Sequence, residues 1–190
     1  MNIIHTDIEG VVIIEPTLHG DERGYFFESY SQREFDSKVA PVRFVQDNES
    51  RSRYGVVRGL HFQRGEKSQS KLVRVVEGSV WDVAVDLRRG SPTFGRYVGV
   101  ELSAENKLQL YIPRGFAHGF SVLSPSVVFQ YKCDNLYAPE AEGAICWDDP
   151  EIAVDWKIAP GDVILSEKDK HNPSLAEAEG LFDYNIDYYA

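Results

Sequence analysis

This 190-residue sequence predicts an all-β domain of the sandwich or barrel type. Three observations carry that reading. Short runs of β-branched and aromatic residues recur along the chain. Gly and Pro are scattered between these runs instead of gathering at one boundary. One run alternates apolar and polar residues with a period of two. No internal repeat or low-complexity linker divides the chain, so 1–190 is expected to be one domain. With 43% hydrophobic side chains it is long enough to bury one sizeable core.

In chain order, the predicted strands begin with the Val-Val-Ile-Ile run at 11–15 and the aromatic run at 25–30, followed by 43–48 and 55–62. Next come 71–77 and 79–87, separated by Gly78, and then 97–102, 108–112, 119–123 and 127–134. The clearest alternation sets Trp81, Val83, Val85 and Leu87 against Asp82, Ala84 and Asp86, which predicts a half-buried strand. Ser31 and Glu34 form a capping-box pattern ahead of Phe35 and Val39, predicting one early helix. From Ala138 onward strand periodicity fades, and turns and short helices outside the sheets are expected.

A formal charge of -10 would repel a phosphate backbone, so extended nucleic-acid or anionic-membrane binding is disfavoured, and any bound phosphate must be held by local Arg and Lys. The first ten residues lack a basic and then apolar leader pattern, and no apolar run could span a bilayer. The expectation is a soluble, cytoplasmic protein. Cys133 and Cys146 lie in no CxxC spacing and are expected to be reduced and buried.

Several segments could carry chemistry. Val57-Arg58-Gly59-Leu60-His61-Phe62-Gln63 puts an arginine and a histidine on an apolar strand. The two have opposite parity, so they can share one cavity only if Gly59 carries a bulge or kink. His118 follows a turn at Pro113-Arg114-Gly115. Metal-binding cupins use such a turn together with an earlier HxH, but here Gln63 stands where the second histidine would be. Two imidazoles fall short of a catalytic ligand set, so no metal is expected. Tyr131 belongs to the inward face Val127, Phe129, Tyr131, Cys133. Lys71 opens a strand, Lys132 adjoins Tyr131, and Asp169 ends a second capping-box pattern begun by Ser166. Taken singly, each of these has an ordinary structural explanation.

Together, the segments resemble the dTDP-4-dehydrorhamnose 3,5-epimerase family. The resemblance runs in order through Asp21-Glu22-Arg23-Gly24-Tyr25-Phe26-Phe27-Glu28, Gln46-Asp47-Asn48 and 57–63. It continues through 82–88, Ser91-Pro92-Thr93-Phe94-Gly95, 112–120, Tyr131-Lys132, Trp147-Asp148-Asp149-Pro150 and 165–169. It implies a cupin-type jelly-roll β-barrel with a few short helices, mainly C-terminal, and a homodimer. It also implies inversion of carbons 3 and 5 of dTDP-4-dehydro-6-deoxy-D-glucose through an enolate, without a cofactor, on the way to rhamnose for surface polysaccharide such as O-antigen. In that pattern His61 is the base, Asp169 its partner, Lys71 the enolate's cation and Tyr131 the opposing acid. Substrate contacts fall on Arg23, Phe26, Glu28, Gln46, Asn48, Arg58, His118, Tyr137, Glu142 and Lys168, with Tyr137 stacking on thymine and the 23–28 strand reaching a neighbouring subunit. Inversion of carbon 3 alone is the nearest alternative. A metal-dependent oxygenase and a non-catalytic sugar-nucleotide binder are the rivals from other classes.

Overall fold

The computed structural model describes all 190 residues, Met1–Ala190. The N-terminal half holds β1 (Asn2–His5), β2 (Val12–Glu15), β3 (His19–Asp21), β4 (Gly24–Phe26), helix α1 (Gln32–Lys38), β5 (Gln46–Arg53), β6 (Val57–Gln63), β7 (Lys71–Glu77) and β8 (Ser79–Asp86). After these come β9 (Arg88–Arg89), β10 (Tyr97–Ser103), β11 (Gln109–Ile112), β12 (Phe116–Val122), β13 (Ser126–Cys133), β14 (Glu142–Ala144) and β15 (Phe182–Asp183). Most strands form two antiparallel sheets of cupin-type jelly-roll architecture, in the orders β1-β2-β11-β7-β13-β5 and β10-β8-β12-β6-β14. β3 and β4 form a separate hairpin, and β15 pairs in parallel with β9. No helix is long and apolar enough to cross a membrane.

Period-two alternation on both sheets sorts the apolar residues into three layers. Between the sheets, Val73, Val75 and Phe129 of the six-stranded sheet meet Val80, Ala84, Phe116 and Phe120 of the five-stranded one. The outer face of the five-stranded sheet, with Val83, Val85, Leu60 and Phe62, is covered by the C-terminal region through Ile152, Trp156, Leu175 and Phe182. The outer face of the six-stranded sheet is covered by Phe35 and Val42. Strand β8 is therefore buried on both faces, not half buried as its alternation suggested. Its polar side, carrying Asp82, is the one that points between the sheets.

Helix α1 forms where expected, but not by the expected cap. Ser31 is the N-cap residue and its side chain makes no capping hydrogen bond. Glu34 instead pairs with Lys38 at 2.5 Å, one turn on. A seven-residue helix is marginal alone. Here it is held by Phe35, which is fully buried edge-on against Phe44 and Tyr111. The C-terminal region forms 3-10 turns at Pro139–Ala141, Pro160–Asp162 and Asp169–His171, while the one α-helix and a further 3-10 turn at Gly65–Lys67 lie earlier. Contrary to the sequence reading, part of this region joins a sheet: β14 pairs with β6 and sets Ala144 opposite His61.

Candidate active site

The required irregularity in β6 is present. His61 lies opposite His118 on β12, while Arg58 lies opposite Phe120, so three steps on β6 match two on β12. The extra residue puts Arg58 and His61 on one face. It falls at Gly59, whose φ of +138° and close approach to Gly119, 2.6 Å from a built Cβ to its Cα, exclude any larger side chain. That face opens on a cavity of about 470 Å³, with Lys71, His118, Tyr131 and Asp169 also in its wall. A smaller lobe of about 130 Å³ shares Asn48, His61, Lys71 and Tyr131 and adds Gln46, Tyr137 and Glu142.

At the centre, His61 Nε2 lies 2.6 Å from Asp169 Oδ1. Asp169 is brought there by a short turn in which its backbone N–H donates to Ser166 Oγ, so the capping pattern and the histidine contact coexist. Burial pushes the Asp169 carboxyl up. The hydrogen bond and charge of His61, helped by Ser166 and Asn172, outweigh burial and hold it below its ordinary value. A depressed carboxyl stabilises the fold above its unfolded value near pH 4, and that stability is lost as pH falls through the folded value. The melting temperature of the wild type should therefore exceed that of Asp169→Asn above about pH 5 and converge on it in acid. Thermal melts across the acid range measure this, and a margin that does not narrow would contradict the assignment.

Two donors face the cavity without a protein acceptor. Lys71 Nζ lies 5.9 Å from the centroid of the Tyr131 ring, with no carboxylate in ion-pair range. Burial holds its ammonium below the ordinary value, against the pull of Cys133 and Asp82. Burial likewise pushes the Tyr131 phenol up, aided by Cys133 and opposed by Arg58, so the ring keeps its proton at neutral pH. The Cys133 thiol is pushed up to about 11 by burial and stays neutral beside them. Cys133 is buried and Cys146 half-buried, both unpaired.

Sequence reasoning missed Asp82. It is wholly buried and receives His118 Nε2 at 3.0 and 3.2 Å from its two oxygens. Burial drives the acid up and the imidazole down, favouring a pair that shares one proton without net charge. Its place on the polar side of β8 meant a carboxylate in need of a partner if that side were covered, without indicating which partner. Gln63, at the position where a second metal ligand was sought, spends its amide on the loops. It donates to Lys67 and Leu136 carbonyls and accepts from the Ala138 amide. No three His, Cys, Asp or Glu side chains converge in a ligating group.

At the mouth, Gln46 donates to Asn48 Oδ1 and accepts from the Tyr137 amide. Lys168 pairs with Glu142, and the Arg58 guanidinium donates only to Ser52 Oγ, which leaves its charge without a carboxylate. Arg23, Phe26 and Glu28 are not brought to the cavity by a single chain. Arg23 is 85% exposed in its side chain and paired with Asp21, and Phe26 is 70% exposed. A second groove, of about 210 Å³, crosses the outer face of the six-stranded sheet. There Lys132 pairs with Asp47, Gln130 donates to Glu49, and the Arg74 guanidinium donates to Gln130 Oε1.

Comparison with known proteins points the same way. A family model described as dTDP-4-dehydrorhamnose 3,5-epimerase matches residues 5–177. The dTDP-4-dehydrorhamnose 3,5-epimerase of Escherichia coli K12 is 56% identical over 178 residues, 93% of this chain and 96% of that protein. A dTDP-6-deoxy-D-glucose-3,5-epimerase from Legionella pneumophila Philadelphia 1, solved in complex with dTDP-4-keto-L-rhamnose, superposes with a TM-score of 0.93 at 50% identity, over 97% of this chain and 99% of that one. The Elizabethkingia anophelis NUHP1 enzyme gives 0.89 at 54% identity, over 93% and 97%.

Proposed function

The chain belongs to the dTDP-4-dehydrorhamnose 3,5-epimerase family, and on that premise we propose that it inverts carbons 3 and 5 of dTDP-4-dehydro-6-deoxy-D-glucose, giving dTDP-4-dehydro-L-rhamnose. The observation that carries the catalytic reading is the His61–Asp169 contact at 2.6 Å, set in one cavity with the free donors of Lys71 and Tyr131.

The chemistry follows from the ketone. The C–H bonds at carbons 3 and 5 both adjoin the carbon-4 carbonyl, so removing either proton gives the same type of enolate. His61 takes the proton, and ionised Asp169 fixes its tautomer and stabilises the imidazolium. Lys71 meets the charge that develops on the carbonyl oxygen, where low surrounding polarity makes it effective. Tyr131, still protonated, returns a proton to the opposite face of the same carbon. Each inversion leaves His61 with one proton too many and Tyr131 with one too few, and exchange with solvent resets both. His118, bonded to the buried Asp82, lines the same cavity.

Arg58 and Lys168 suit the diphosphate, Tyr137 a base to stack on, and Gln46, Asn48 and Glu142 the polar edges of sugar and base. The exposed aromatic hairpin β3–β4 supports a homodimer in which Arg23, Phe26 and Glu28 complete the neighbouring cavity. Sedimentation at micromolar concentration tests it, and a monomer would remove it. One domain, 1–190, carries the activity, and the two unpaired cysteines fit the reducing cytoplasm.

Incubation with the keto sugar in deuterated water, followed carbon by carbon by NMR, tests the function. Label should appear at carbons 3 and 5. Label at carbon 3 alone would reduce the activity to 3-epimerisation, and label at neither would overturn it.

A further inference from the structure

We propose that residues 182–190 form a positioning strap for the active site, tied through Arg114 and Asp134 to the backbone that presents Lys71. This rests on the role given to Lys71 above. The strap starts at β15, where Phe182 packs edge-on against Phe62, the neighbour of His61. It closes on itself as the Asp183 amide donates to Tyr188 Oη and the Tyr188 ring meets Phe182 at 5.0 Å.

Its last residues converge on one arginine. Arg114 Nη1 donates to the Tyr188 carbonyl at 2.7 Å, and the Arg114 amide donates to Tyr189 Oη at 3.0 Å. Arg114 Nε donates to Asp134 Oδ2 at 2.8 Å, and Asp134 Oδ1 accepts from the Ser70 amide at 2.7 Å. Ser70 precedes Lys71, and Asp134 follows the strand that carries Tyr131. One carboxylate, Asp134, therefore joins the ends of the two strands that bear the free cavity donors, and Arg114 holds that carboxylate.

The pair is largely buried, with side-chain exposures of 14% and 4%. A buried guanidinium must have its donors satisfied or the pair loosens. The Tyr188 carbonyl supplies an acceptor for Nη1. Tyr189 Oη also lies 3.1 Å from Tyr111 Oη, on the strand that pairs with β7 at Leu72. The strap thus bears on β7 from two sides. Displacement of a catalytic group by about 1 Å costs up to about a hundredfold in rate, so a remote tie of this kind acts on turnover.

The test deletes Asp187–Ala190, which leaves the Phe182 anchor in place, and compares it with Arg114→Gln and the milder Tyr189→Phe. The deletion and Arg114→Gln should lower kcat about tenfold with KM unchanged within about twofold, and Tyr189→Phe should act in the same direction by less. Amide hydrogen exchange should quicken at Ser70 and Lys71 in the deletion variant. A kcat that matches the full chain once scaled to the folded fraction, with unchanged protection at Ser70 and Lys71, overturns the strap. If the full-length chain labels neither carbon, the assigned reaction fails. Amide protection at Ser70 and Lys71 still decides whether the strap orders this backbone.

Discussion

His61→Gln should lower deuterium incorporation at both carbon 3 and carbon 5 by about a thousandfold while leaving dTDP binding and the melting profile close to wild type. One base serves both carbons, because the two protons flank the same carbonyl, so the two losses must be equal. The glutamine amide can reach the position of the present Nε2, 2.6 Å from Asp169 Oδ1, and still donate to it, so the buried carboxylate keeps a partner. What disappears is a group able to accept a proton near neutral pH. If carbon 5 kept label uptake while carbon 3 lost it, a second base would be required, and the single-base assignment would fall. Titration calorimetry with dTDP separates this from a binding defect.

The fold was legible wherever burial follows local pattern. β7 appears at its predicted limits, and β8, β10, β11 and β13 within a residue or two, because their apolar and β-branched runs pair with a neighbouring strand over most of their length. β14 was not legible. Glu142-Gly143-Ala144 has no strand propensity and is extended only because the free edge of β6 offers it hydrogen bonds. Of the hairpin β3–β4 only Tyr25 and Phe26 fell in a predicted strand, which was carried too far, to Tyr30: all six hairpin residues are exposed, so no buried face imposes alternation. In β8 the alternation was seen but read as one buried face, whereas both are buried: the C-terminal region covers the apolar side and Asp82 turns inward between the sheets.

For the site, parity showed that Gly59 had to bulge if Arg58 and His61 were to cooperate, and the register confirms that condition. Spacing could not bring Asp169 to His61 across 108 residues; only the family resemblance did that. The Asp82–His118 contact, across two neighbouring strands, was open to neither route, because pairing register is a tertiary property.

Tyr131→Phe should separate proton removal from inversion. The variant retains His61, Asp169 and Lys71, so the enolate still forms and carbon 3 still exchanges with solvent. Without a donor on the opposite face, His61 exchanges the abstracted proton with solvent and returns a deuteron to the side it came from, so label enters with retention. Epimer formation should fall about a hundredfold or more, while label uptake at carbon 3 falls by less than about tenfold. Loss of the hydroxyl should scarcely disturb the fold, because Tyr131 Oη makes no hydrogen bond within the protein and its ring keeps its packing against Phe129. NMR reads both quantities in one sample, label at each carbon and the ratio of epimers. Equal losses of exchange and inversion would mean that Tyr131 acts before the enolate forms, as part of proton abstraction. Unchanged inversion would mean that the second proton comes from elsewhere in the cavity. Only exchange that outlives inversion identifies Tyr131 as the acid, because it alone requires a base and a donor on opposite faces of one planar intermediate.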